Sequence, residues 1–286
     1  MPEILTYSFM QRAFLAGLLV GLLAPALGTF LVLRRLSLVA DSLSHVALMG
    51  VALGFLLKTL PSLVALVTTT AAAVAIERLR ATGRLSGDIA LALFLYSSLG
   101  MAVILIGLAG GFNVDLFSYL FGSITTVGRG DLLLMGILAA VVLGVVLYYY
   151  AELVQTTFDP DLARVSGVPV DQVNLILALL TGATVTMSMR VVGVLLVGAL
   201  TVIPVVASLQ LASGFRATLL LSMAFGVLSV LVGLVVAFYW NLPAGGAVVM
   251  VSLAVLMAAA LARSTLRLRR QGTATSPALS GQPTDA

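Results

Sequence analysis

Asp41 and His45, the chain's one histidine, stand four residues apart in a run, Ser37 to Leu57, that is otherwise apolar enough to cross a bilayer. Side chains at i and i+4 of a helix share a face, so a carboxylate and an imidazole point the same way at membrane depth. An unpartnered Asp there costs about 2.5–3.5 kcal/mol on insertion scales. Three chemistries fit the pair. It is a borderline ligand set for a divalent transition metal such as Zn, Mn or Fe; it could relay protons, as Asp and His chains do in pumps; or the two groups could hydrogen-bond each other or neighbouring helices and serve packing alone. A metal-ion path is the leading reading. Two side chains cannot complete a four-coordinate cage, so water, backbone carbonyls or a second subunit must fill the remaining positions, and an incomplete shell suits an ion that has to leave again. Met49 lies four residues beyond His45, which puts Asp41, His45 and Met49 on one helical stripe. A thioether favours copper(I), but methionine more often fills gaps in apolar packing.

Other polar residues carry less weight. Thr29, Ser37, Ser42 and Ser44 could line the same path or bond back to their own helix carbonyls. Asn113 and Asp115 follow a Gly-Gly pair and read as a solvated loop that could help receive a partner. Arg34 and Arg35 read most simply as topology anchors, with repulsion of cations at an exit as the alternative.

The elements that hold these residues follow from composition. The chain of 286 residues is 61% hydrophobic and 9% charged, against about 25% charged in soluble domains, with a mean hydropathy of +1.18. It is an all-α polytopic membrane protein. A hydrocarbon core of about 30 Å takes about 20 residues of helix, and nine candidate spans result: Ala13–Leu33, Ser37–Leu57, Ser62–Ile76, Ile89–Leu108, Leu132–Tyr150, Val173–Met189, Val191–Leu211, Ala217–Phe238 and Ala244–Leu261. Only Arg190 separates the sixth from the seventh, which are a tight hairpin or one broken helix. Val114 to Val127 is too short to span and reads as a re-entrant or interfacial helix. Residues 1–12 form an N-terminal segment, 13–262 the membrane domain and 263–286 a basic, then disordered, tail. No cleavable signal peptide is expected. With no cysteine, thiolate metal sites and disulfides are excluded.

Cytoplasmic loops are enriched in Lys and Arg. With the N-terminus outside, Arg34, Arg35, Arg78, Arg80, Arg84, Arg164, Arg216, Arg263, Arg267, Arg269 and Arg270 fall inside, and Arg12, Lys58, Arg129 and Arg190 outside. The C-terminus is then cytoplasmic. The same clustering explains the net charge of +4 without a nucleic-acid partner. Gly17 and Gly21 have the small-xxx-small spacing that lets helices approach closely in lipid. Pro25 and Pro204 lie inside spans, where a packed kink is the simpler expectation and an unwound turn beside a pathway the alternative.

The longest internal polar stretch, Ala151 to Gln172, contains Asp159-Pro160, an N-cap followed by a residue suited to the first helical position. Gly167 and Pro169 then stop the helix. A capped two-turn helix, Pro160 to Ser166, is predicted, stiff enough to dock on another protein.

Four stretches in this order carry a resemblance: GTFLVLRRLSLVADSLSHVALMGVALG (Gly28 to Gly54), DLFSYLFGS (Asp115 to Ser123), FDPDLARVSGV (Phe158 to Val168) and VVGVLLVGALTVIPVVAS (Val191 to Ser208). With the spans they cover residues 10–262, and the chain resembles the membrane permease of the bacterial zinc/manganese/iron ABC importers (the ABC-3 family), similar in architecture to the permeases for vitamin B12 and iron siderophores. The resemblance implies a bacterial or archaeal cytoplasmic membrane, two permease copies around a central path, two cytoplasmic ATPase subunits and an extracytoplasmic metal-binding protein. It implies that Asp41 and His45 contact the transported divalent ion, and that Phe158, Asp159, Pro160, Asp161, Leu162, Ala163, Arg164 and Gly167 form the helix coupled to the ATPase. The chain has no GxxxxGK[ST] run, so ATP would be bound by the partner, and no cofactor is expected in the chain itself. One departure stands out: where the family commonly has a proline soon after the histidine, this chain has Val46, Ala47, Leu48 and Met49. A permease for an iron chelate or corrinoid, and a proton-coupled secondary transporter using Asp41 and His45, are the alternatives.

Overall fold

The computed structural model describes residues 6–82, 87–111, 114–123, 125 and 127–274, with the side chains of residues 114, 115 and 266–274 outside the description. Pro2, Glu3, Arg84, Asn113, the side chains of Asp115, Arg267, Arg269 and Arg270, and residues 275–286 therefore lie outside the described residues. The regular elements among the described residues are all helices: α1 (Ser8–Leu33), α2 (Leu38–Leu56), α3 (Pro61–Ala81), α4 (Gly87–Leu108), α5 (Val114–Phe121), α6 (Arg129–Tyr148), α7 (Tyr150–Phe158), α8 (Pro160–Val165), α9 (Val170–Ser188), α10 (Val194–Leu211), α11 (Phe215–Trp240) and α12 (Ala244–Ala274). Among the described residues nine of these are long and apolar enough to cross a membrane, in the nine places expected.

Burial separates inner from outer helices. In α1 and α2, 72% and 67% of the spanning window is buried within the chain, against 28% in α4 and 22% in α6. α2 lies among α3, α4, α9 and α10; α1 packs on α11, α10, α9 and α6. Close approach along α1 depends on missing side chains. A Cβ at Gly226 would fall 2.3 Å from the Gly21 carbonyl oxygen, and one at Gly28 would fall 2.0 Å from that of Thr201. The small-residue stripe of α1 therefore faces α11 and α10. Hydroxyl pairs add to the packing: Thr29 meets Ser222 at 2.9 Å, and Thr69 meets Thr186 at 2.6 Å.

Several boundaries differ from the sequence reading. α1 starts at Ser8, and α12 continues as helix to Ala274, so the segment that begins the tail is helical at first. α5 ends at Phe121, because Gly122 turns the chain at φ +74°. α7 was expected to be loop: its sequence YAELVQTTF is too polar to read as a span, but Leu153, Thr156 and Thr157 are buried on one side. α9 and α10 are two separate helices. Met189 to Gly193 separates them, and their main partners differ: α9 packs on α3, α2 and α1, and α10 on α12, α11, α1 and α2. Both α1 and α10 continue as helix through Pro25 and Pro204, so neither proline marks an unwound turn.

Candidate metal path and docking segment

Asp41 lies in the first turn of α2, where the partial positive charge of the helix N-terminus favours a carboxylate by about 0.3–1 kcal/mol. His45 is one turn, about 6 Å, further along the axis. Both are half-buried, between the buried residues Ala40, Ser42, Leu43, Ser44 and Val46. α10 comes close to Asp41 at Gly198, where an added Cβ would stand 3.2 Å from the carboxylate Oδ1. Nothing in the sequence alone singled out Gly198, one glycine among 27.

His45 Nδ1 is shielded from solvent and has no hydrogen-bond partner, so the ring is not held by a bond from Nδ1 to Asp41. The neighbouring hydroxyls are engaged elsewhere. Ser44 donates to the Asp41 carbonyl at 2.7 Å, Ser42 donates to the Leu91 carbonyl on α4 at 3.0 Å, and Thr29 is within 2.9 Å of the Pro25 carbonyl on its own helix. Their roles are back-bonding and helix pairing. Among the described residues no three His, Cys, Asp or Glu side chains gather into a metal-binding group. Met49 lines a cavity between α2, α3 and α4, with Thr68, Phe94 and Met101. Neither Asp41 nor His45 borders that cavity; at 3.6 residues per turn, eight residues put Met49 about 80° round the helix from Asp41.

The docking segment folds as its sequence dictates. Asp159 is the N-cap of α8, and its Oδ1 accepts the N–H groups of Asp161 and Leu162 at 3.1 and 2.9 Å. Gly167, at φ +86°, supplies the left-handed turn behind the helix, and the Val168 N–H closes on the Ala163 carbonyl at 3.0 Å. Ala163 is buried, whereas Phe158, Leu162 and Val165 are exposed, an apolar surface rimmed by Asp161 and by the Arg164–Asp171 pair at 3.0 Å.

At the opposite end of the bundle Arg190 ties the break between α9 and α10 to three other elements. Its guanidinium pairs with Asp131 of α6 and donates to Ser62 of α3 at 3.2 Å and to Tyr119 of α5 at 3.0 Å. Gly122 and Gly193, both at positive φ, let α5 lie against this break. Arg34 is more than a topology anchor: it is folded into the helix ends on the α8 side, near Glu77 and Arg80 of α3. Burial lowers its pKa to about 10, partly opposed by Glu77, which still leaves it charged at neutral pH.

A family model described as the ABC 3 transport family matches residues 6–263. The chain is 32% identical over 246 residues to the high-affinity zinc uptake system membrane protein ZnuB of Haemophilus influenzae, covering 86% of this chain and 94% of that one. It is 33% identical over 247 residues to the manganese import system permease protein ScaB of Streptococcus parasanguinis, covering 86% and 88%. Its fold matches PsaBC from Streptococcus pneumoniae, solved in complex with Fab, with a TM-score of 0.82 and 29% identity over 94% of this chain and 98% of that chain.

Proposed function

The chain belongs to the ABC 3 transport family, and we propose that it is the membrane permease of an ATP-driven importer in which Asp41 and His45 contact a divalent transition-metal ion in transit. The observation that carries this reading is the pair itself: a carboxylate and an imidazole on one face of an inner helix, half-buried, with His45 Nδ1 free of any hydrogen bond. A polar pair kept only for packing would be expected to satisfy its buried atoms. A neutral ring nitrogen without a protein donor is what a metal ligand needs.

The ligand types admit Zn, Mn and Fe, in keeping with relatives named for zinc uptake and manganese import. One chain supplies two protein ligands, so the ion keeps part of its hydration or takes donors from a second permease copy. Its hold is weak enough for release. Glycine at position 198 lets α10 come close to the carboxylate, where any side chain would press on it.

ATP binding and hydrolysis belong to partner ATPase subunits, which meet the apolar surface of Phe158, Leu162 and Val165 on α8. The Lys/Arg bias places that surface and the C-terminus in the cytoplasm. An extracytoplasmic metal-binding protein delivers the ion at the opposite end, near α5 and Arg190. Motion at α8 then tilts the helices around Asp41 and His45, opening the path to each side in turn.

The test is elemental analysis of Zn, Mn and Fe in cells expressing the permease with its ATPase and binding protein, comparing wild type with Asp41→Ala and His45→Ala. Accumulation of one metal, abolished by both substitutions while the complex still assembles, is the expected result. Uptake that survives both substitutions removes the pair from the path.

A further inference from the structure

Arg34 joins the docking segment to the helix that carries Asp41. In a helix the Thr156 carbonyl would accept the N–H of residue 160, but that residue is Pro160, which has none. The last turn of α7 is thus left with an orphan acceptor, and Arg34 takes it, donating from Nε at 3.2 Å and from an Nη at 3.0 Å. Arg34 is also the C-cap of α1; its N–H closes on the Phe30 carbonyl at 3.2 Å. Arg35, at φ +59°, then turns the chain, and α2 begins at Leu38, one turn before Asp41.

The two ends of this link are both well held. Thr156 is fully buried, next to the short Asp159 connection into α8. On the other side Arg34 shares its surroundings with Leu36 and Val39 of the turn and of α2, and with Glu77, which pairs with Arg80 at 2.8 Å. Two N–H donors of a planar guanidinium on one carbonyl restrict its direction as a single ammonium cannot.

We propose that Arg34 is a positioning residue for transport: it passes displacement of α7 and α8 to the turn between α1 and α2, and so moves the helix bearing Asp41 and His45. This rests on the functional reading above. Because Arg34 bridges the end of α7 and the α1–α2 turn, its loss is expected to separate ATP hydrolysis from transport.

The assembled transporter, permease with ATPase and binding protein, is reconstituted in liposomes, and the readout is metal ions moved per ATP hydrolysed. Loss of folded protein lowers both rates in step and leaves this ratio alone. For Arg34→Gln and Arg34→Lys the ratio is expected to fall about tenfold, within the range by which single residues change coupling between sites. Pro160→Ala approaches from the acceptor: without the proline, Asp159 is free to leave its extended conformation, α7 can continue by a turn so that the N–H at position 160 competes for the Thr156 carbonyl, and the ratio falls with the arginine intact. An unchanged ratio in Arg34→Gln, in a preparation whose assembled complex matches the wild type in amount, overturns the assignment. Should neither arginine variant assemble, Pro160→Ala decides alone, and an unchanged ratio there overturns the link. If the wild-type complex hydrolyses ATP but moves none of zinc, manganese or iron, the functional reading itself fails and takes this one with it.

Discussion

At the scale of single residues, the pair at 41 and 45 was legible because a charge in an apolar run is costly and four-residue spacing fixes a common face. What surrounds the pair was not legible. Gly198 lies about 157 positions away along the chain and meets Asp41 only because α10 crosses α2. Gly198→Val should press its methyl groups on the carboxylate and lower metal uptake about tenfold, with the milder folding cost of about 1–3 kcal/mol typical of overpacking. Gly198→Ala should have a smaller effect, since an oxygen at 3.2 Å can yield by a few tenths of an ångström. Uptake rates set against the yield of assembled complex check both. Met49 teaches the converse lesson. Sharing a stripe on paper did not give it a place in the same site, since the neighbours α3 and α4 claim it.

At the scale of elements, helix existence was clear from hydropathy, and α8 was clear from its Asp-Pro start and glycine stop. α7 was hidden because its apolar side is only a few residues wide. The break between α9 and α10 is held by contacts that no local signal announces. At Gly245 a Cβ would lie 1.8 Å from the Val192 carbonyl oxygen and 2.8 Å from that of Phe121. Backbone atoms cannot swing away as a side chain can, so Gly245→Val should destabilise the permease by about 3 kcal/mol, seen as a lower melting temperature in detergent. Arg190→Ala leaves Asp131 without its cation. Because the two side chains are 21% and 26% exposed, a loss of about 2 kcal/mol is expected, below the 3–5 kcal/mol of a fully buried broken pair. The same melting assay measures it, and no change would mean that the glycine contacts alone hold this end together.

At the scale of the whole molecule, orientation is open to a direct test because the chain contains no cysteine. Leu60 and Val165 are 69% and 88% exposed, at opposite ends of the bundle. In intact cells a membrane-impermeant thiol reagent should label Leu60→Cys, and label Val165→Cys only after permeabilisation. The reverse pattern would invert the assignment of the docking face.

The sequence by itself determined that this chain lives in a bilayer, roughly where its nine spans fall, that α8 is capped at both ends, and which two side chains are out of place among apolar neighbours. Each of these depends on interactions within a few residues or on transfer of a segment from water to lipid, and such quantities are additive along the chain. Tertiary structure alone decided that Gly198 stands against Asp41, that Met49 lines a cavity with α3 and α4, which partners α9 and α10 pack on, and that Arg34 completes the end of α7. Those depend on groups brought together from distant parts of the chain. In lipid nearly every helix face is apolar, so hydropathy cannot tell which face meets which neighbour; close packing and the need to satisfy buried polar groups make that choice.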